Sequence, residues 1–128
     1  GMDFDALAEY ADAFVVPHWS RSYATPWYFE SLSRAFKKLL KKPVYTGLYI
    51  RGPGDDPNEV EKPEQILKTA CRIARTGVDG LIFLAGNATI MKDFQKAAVS
   101  NVKLREELEG YGGKPVLDLI DKWESIIQ

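Results

Sequence analysis

The side chains of this chain that could do chemistry follow short apolar runs. His18 is the only histidine, and together with Trp19 it comes directly after the apolar run at residues 13–16. A histidine titrates near neutral pH, so His18 could transfer a proton or form a hydrogen bond with a ligand. The alternative is a histidine that bonds only to backbone. Both interpretations place His18 at the end of a strand.

Arg51 and Asn87 occupy similar positions after two later apolar runs, at residues 44–50 and 81–85. A guanidinium group can hold a carboxylate or phosphate through two parallel hydrogen bonds. An ion pair between Arg51 and an aspartate of the following loop is the structural alternative. Asn87 could bind a ligand or cap the next helix, and capping is the favoured interpretation.

Several aromatic residues lie close to His18 in the sequence, and they are Trp19, Tyr23, Trp27 and Tyr28. Rings of this kind combine a large apolar surface with a polar atom, so they can stack on sugar rings. They could equally pack as a cap over the end of a strand, and the sequence leaves both possibilities open. Trp27 is expected in the core, because its neighbours at helical spacing are apolar.

The elements that must position these residues follow from hydrophobic periodicity and from helix caps. Strands are predicted at residues 13–17, 44–50 and 81–85. Helices are predicted at about 4–10, 26–41, 63–76 and 90–109, with a last helix from Pro115. Thr25 and Pro26 supply a helix start, and Gly77 sits where a left-handed C-cap is expected. Cys71 falls within an apolar helical stripe and is predicted to be a packing residue.

The three predicted strands are nearly continuous apolar runs, a pattern typical of parallel strands with helices on both faces. They recur every roughly 30–40 residues, which is the size of a strand–helix–strand crossover. The prediction is an α/β fold: a parallel three-stranded βαβ sheet in one domain over residues 2–128. The alternative is a small flavodoxin-like doubly wound domain with the first strand in the centre.

Three stretches together resemble the last third of bacterial TIM-barrel proteins of the glycosidase-like kind. They are "LAEYADAFVVPHW", "KPVYTGLYI" and "GVDGLIFLAGN", and the similarity in order and spacing spans about residues 5–109. In such barrels, and in open parallel sheets, ligands bind at the carboxyl ends of the strands. The predicted ligand-contacting residues are therefore His18, Trp19, Tyr23, Arg51 and Asn87.

The predicted strand ends lack the side chains that catalysis would need. Glycoside hydrolysis usually requires two carboxylates beside the scissile bond, and none of the predicted strands ends in Asp or Glu. A single histidine and a single cysteine are too few for a zinc triad within the chain, and Cys71, as a predicted packing residue, is not expected to pair with His18 as a nucleophile. We expect no catalytic residue, metal or cofactor. The predicted function is a glycosidase-like partial-barrel domain that contributes carbohydrate or small-ligand contacts. The alternative is a self-sufficient binding or protein-interaction domain.

Composition narrows the partners further. The net charge is −1, so no overall basic field attracts nucleic acid. No apolar stretch reaches the roughly 20 residues that span a bilayer, and no signal-peptide pattern begins the chain, so a cytoplasmic location is expected if the chain is complete. Gly1 before Met2 resembles the remnant of a removed tag. Exposed edges of a parallel sheet favour self-association, so an oligomer is expected.

Overall fold

The computed structural model describes residues 1–18, 25–50, 62–111 and 113–127. These ranges contain six helices and three strands: one helix precedes each strand, and three helices follow the last strand. In chain order they are α1 (Phe4–Ala8), β1 (Phe14–His18), α2 (Pro26–Leu39), β2 (Val44–Tyr49), α3 (Pro63–Ala74), β3 (Gly80–Leu84), α4 (Ala88–Val99), α5 (Val102–Gly110) and α6 (Lys114–Ile127). None of the helices in these ranges is long and apolar enough to cross a membrane.

The strands form one parallel sheet in the order β1-β2-β3, with β2 in the centre. Phe14 pairs with Val44 across the first ladder, and Tyr45 pairs with Gly80 across the second. The predicted α/β class and the parallel sheet are confirmed. The flavodoxin-like alternative requires β1 in the centre, so its strand order is wrong for this chain. The sequential order is the one that the partial-barrel hypothesis predicts.

The helices in the described ranges pack on one face of the sheet. Val44, Thr46 and Leu48 alternate along β2 and are buried. Leu81 and Phe83 of β3 share their face and pack against a core that contains residues from α2, α3, α4, α5 and α6. Within the described residues, the helices therefore cover one face of the sheet, whereas the sequence predicts helices on both. Because successive right-handed crossovers run in one direction along the sheet, they place their helices on the same side.

The opposite face of the sheet, which we call the open face, carries no charged side chain. Its members alternate with the buried residues along each strand, and no apolar member belongs to a cluster that packs with the helices. They are Val15, Pro17, Tyr45, Gly47, Tyr49, Gly80, Ile82 and Leu84. Val15 is 53% exposed. The strands read as continuous apolar runs because this second face is also apolar, although none of the helices in the described ranges covers it.

Two other sequence predictions about the helices need correction. The predicted helix over residues 90–109 is two helices, because Asn101 interrupts it and caps α5 by accepting a hydrogen bond from the Leu104 amide at 3.0 Å. Asparagine caps a helix better than it continues one, because its side chain competes for backbone groups. Helical spacing from Phe29 also predicts Leu39 on the buried stripe of α2, but Leu39 is 53% exposed at the end of that helix.

Two local predictions are confirmed. Gly77 follows α3 with φ of 86°, a left-handed conformation that glycine adopts without a Cβ clash. Cys71 is buried in the main core, and burial raises the pKa of its thiol to about 11. A thiol in that state carries little thiolate near neutral pH and is a packing residue.

Asp79 joins three elements at the amino end of the sheet. Its carboxylate accepts hydrogen bonds from the Val44 backbone amide at 2.8 Å and from Lys37 Nζ at 2.6 Å. The contact therefore ties the end of α2 and the start of β2 to the residue before β3. The Lys37 hydrogen bond, followed by the Val44 amide, holds the pKa of Asp79 below its usual value.

A buried hydroxyl pair also links α2 to β2. Ser33 Oγ lies 3.1 Å from Thr46 Oγ1, and both residues are fully buried. We expect Ser33→Ala to lower the free energy of unfolding by about 1–2 kcal/mol, because it removes the partner of a buried hydroxyl group. The double variant Ser33→Ala/Thr46→Val should lose less than the sum of the single variants. Urea denaturation of all four proteins measures this coupling, and additive losses would contradict it.

The Asp79 contact predicts a pH dependence of stability. Because its pKa is lower in the folded chain than in the unfolded chain, the carboxylate stabilises the fold above the unfolded pKa, near 4. That stabilisation is lost as the pH falls through the folded pKa. The stability difference between the wild-type protein and Asp79→Asn should therefore shrink as the pH falls below about 4. Urea midpoints across a pH series measure it, and a difference that does not change with pH would refute it.

Candidate functional site

The three strands end together on one side of the molecule, which we call the carboxyl edge. β1 ends at His18, β2 at Tyr49 and β3 at Leu84. His18 pairs with Leu48, and Tyr49 pairs with Leu84, so the ends are in register. Adjacent strands lie about 4.8 Å apart, which places the backbone of His18 within roughly 10 Å of β3. The sheet thus brings the residues that follow its strands to a common edge.

The structure describes two of the five predicted ligand-contacting residues. His18 is the last residue of β1, and Asn87 lies in the turn between β3 and α4. Both positions are at the carboxyl edge, as predicted. Trp19, Tyr23 and Arg51 lie outside the described residues, and their roles stay predictions.

Asn87 acts as the N-cap of α4. Its Oδ1 accepts a hydrogen bond from the backbone amide of Ile90 at 2.9 Å. This is the capping role that the sequence favoured. A side chain that already satisfies a helix terminus is less available to recognise a ligand, so Asn87 contributes to the site chiefly by holding the start of α4 at the carboxyl edge.

Trp27 and Tyr28 are exposed on the first turn of α2. Thr25 caps this helix through a hydrogen bond from the Tyr28 amide at 3.2 Å. Trp27 is 65% exposed and Tyr28 is 47% exposed, so the expectation of a buried Trp27 is wrong. The buried face of α2 begins at Phe29, and a residue two positions earlier is turned about 200° away from it around the helix.

Tyr49 is a site residue that the sequence analysis missed. It lies on the open face at the end of β2. A Cβ added at Gly86 would lie 3.9 Å from Tyr49 Oη, so this hydroxyl group reaches the turn after β3. No signal in the sequence marked it, because the nearly continuous apolar run of β2 does not show which of its two faces the helices cover.

Two glycines allow large side chains to lie flat on the open face. A Cβ at Gly80 would lie 2.7 Å from Tyr45 Cδ1, and one at Gly47 would lie 3.2 Å from Leu84 Cδ1. The ring of Tyr45 and the side chain of Leu84 therefore occupy the space beside these glycines. These side chains fill the space beside the two glycines on the open face, which leads to the carboxyl edge.

The described residues at this edge present mainly aromatic and hydroxyl groups. Within the described sheet, no strand ends in Asp or Glu. The described ranges also contain no group of three or more His, Cys, Asp or Glu side chains that could hold a metal ion. This edge carries the exposed rings of Trp27 and Tyr28 and the hydroxyl group of Tyr49. The chain position of His18 is at the same edge.

No protein-family model, curated protein or solved structure matches this chain. The resemblance of its strand motifs to glycosidase-like barrels therefore remains a hypothesis. A function proposed for the chain therefore rests on the geometry of the carboxyl edge and of the open face.

The Asn87 cap gives a direct test of its role. Asn87→Ala should lower the free energy of unfolding by about 1 kcal/mol, whereas Asn87→Asp should retain most of the stability, because aspartate caps equally well and favours a helix N-terminus. Urea denaturation of the two variants and the wild-type protein measures the difference. Equal stability of Asn87→Ala and the wild-type protein would show that the cap contributes nothing.

Proposed function

We propose that this chain is a glycosidase-like partial-barrel domain that binds carbohydrate at the carboxyl edge of its sheet. The observation that supports this most directly is the exposure of Trp27 beside that edge, with Tyr28 next to it. An exposed aromatic ring at this position gives a ligand a large apolar surface to cover. Sugar rings present flat C–H faces that stack on such rings, and their hydroxyl groups require polar partners close by.

The open face supports the same proposal. Its part nearest the carboxyl edge contains Pro17, Tyr49 and Leu84, which form an apolar surface beside a phenol hydroxyl group. In a closed barrel this face would line the interior, below the loops that form the active site. A sugar bound at the edge would rest on this floor, with the Tyr49 hydroxyl group as a polar neighbour, and the predicted contact from His18 would come from the end of β1.

The remaining predicted contacts extend the proposed site toward acidic sugars. Arg51 lies two residues after the end of β2 in the chain, and Trp19 and Tyr23 follow β1. A guanidinium group there would pair with the carboxylate of a uronic acid. The proposal is binding without hydrolysis, since hydrolysis needs a carboxylate pair beside the bond, and no described strand ends in one.

A second candidate function is self-association through the open face. The observation that favours it is the absence of charge and of helix cover on that face within the described residues. Parallel sheets are ordinarily covered on both faces. The net charge of −1 adds little repulsion between copies. Sedimentation velocity over a concentration series distinguishes the candidates, because a monomer throughout would remove self-association and leave carbohydrate binding unaffected.

Calorimetric titration with a panel of neutral and uronic-acid oligosaccharides tests the carbohydrate proposal. We expect at least one member to bind, and we expect Trp27→Ala to weaken its binding about tenfold, because a stacked ring contributes about 1–1.5 kcal/mol. Tyr10→Ala is the matched control: Tyr10 is 89% exposed but precedes the amino end of β1. It should bind like the wild-type protein. Absence of binding across the panel, or equal losses in the two variants, would end the proposal.

A further inference from the structure

The outer edge of β3 presents backbone groups that can pair with another strand. β3 is an edge strand, and its pairing to β2 includes a hydrogen bond from the Ile50 amide to the Leu84 carbonyl at 2.9 Å. In a parallel ladder alternate residues bond to the same neighbour, so Gly80, Ile82 and Leu84 direct their backbone groups to β2. The N–H and C=O groups of Leu81 and Phe83 therefore point away from the sheet.

A groove lies along the amino half of this edge, between β3 and α6. It has a volume of about 330 Å³. Its apolar lining comes from the start of β3, the end of α3 and α6, and consists of Ala74, Val78, Leu81, Pro115 and Leu119. A strand edge that forms one wall of a groove, with a helix as the other wall, is the geometry in which a protein adds an extended peptide to its sheet.

The charged residues of the groove favour an acidic occupant. Asp79 is paired with Lys37, and Asp118 is paired with Lys114. Lys122 is exposed on the α6 wall and forms no ion pair with a described residue. Each carboxylate therefore has a lysine partner, and Lys122 is a lysine of the groove that remains available to pair with an acidic side chain.

The edge of β1 is less suited to the same role. Phe14 donates its amide hydrogen to the Pro43 carbonyl, so Val15 and Pro17 direct their backbone groups outward. Pro17 has no N–H group, and proline on an edge strand limits pairing with another chain. The five residues of β3 contain no proline. Of the two edges, β3 is therefore the one that can accept a strand.

We propose that the outer edge of β3 binds an extended peptide segment of a partner protein as a fourth strand. The segment would alternate apolar side chains, which enter the groove, and would carry an acidic side chain opposite Lys122. Leu81 and Phe83 would exchange backbone hydrogen bonds with it. This site is distinct from the proposed carbohydrate site, because the groove begins at the amino end of β3 and the carboxyl edge lies at the other end.

Hydrogen exchange measured by NMR tests the proposal with an internal control. The probe is a short synthetic peptide that alternates valine with threonine and ends in glutamates. In the free protein the amides of Leu81 and Phe83 should exchange faster than those of Ile82 and Leu84, which bond to β2. Saturating peptide should slow Leu81 and Phe83 at least tenfold and leave Ile82 and Leu84 nearly unchanged. Unchanged exchange at Leu81 and Phe83, or equal slowing of all four amides, would overturn it.

Two further measurements separate the alternatives. Lys122→Glu should weaken peptide binding about fivefold, as expected for loss and reversal of a surface ion pair, whereas Lys92→Glu on the exposed side of α4 should not. Equal affinities of the two variants would contradict the assigned position of the peptide. Protection of Leu81 and Phe83 in the free protein, together with a dimer by analytical ultracentrifugation, would show that a second copy occupies the edge and would also overturn the proposal.

Discussion

The structure depends on one constraint, which is that all three strands run in the same direction and are joined in sequential order. A right-handed crossover helix can return only over one side of the sheet, so successive crossovers in one direction place their helices together. The result is a sheet with a thick helical layer on one face and no described helix on the other. The open face, the shared carboxyl edge and the two strand edges are all consequences of this arrangement.

The two ends of the sheet have different chemistry. At the amino end, Asp79 ties the start of β2 to α2 through hydrogen bonds to Val44 and Lys37. At the carboxyl end, Thr25 and Asn87 use their side chains to cap helices, and Trp27 and Tyr28 stand exposed. Hydrogen bonds to a carboxylate stabilise the amino end of the sheet, whereas aromatic side chains are exposed at the carboxyl end. In barrels the same division separates residues that stabilise the fold from residues that contact ligands.

The carbohydrate site and the strand-addition site are different surfaces, so these two proposals do not depend on each other. Carbohydrate binding concerns the carboxyl edge and the adjoining part of the open face. Strand addition concerns the outer edge of β3 and the groove beside α6. A sheet that is open on one face and at both edges leaves several surfaces to be covered. The aromatic surface and the tyrosine hydroxyl favour a sugar at one of them, and outward backbone groups favour a polypeptide at the other.

Much of the fold could be predicted from the sequence, because it depends on local patterns. The apolar runs located β1, β2 and β3, the spacing indicated parallel crossovers, and Gly77 and Asn87 marked helix ends through their backbone and capping preferences. The error over residues 90–109 arose because the apolar spacing continues from α4 into α5, although Asn101 between them caps a new helix. Such competition between a side chain and the helical backbone is not visible in hydrophobic periodicity.

Which surfaces are covered was decided only by the tertiary structure. An apolar strand reads the same in sequence whether a helix packs on its second face or nothing does, so the open face could not be inferred from β2 alone. Likewise, the angle at which α2 packs decides that Phe29 is buried and Trp27 is exposed. The sequence by itself determined the strands, their direction and the order of chemical groups along the chain. Packing direction, which depends on contacts between residues far apart in the chain, determined which of those groups meet at the carboxyl edge.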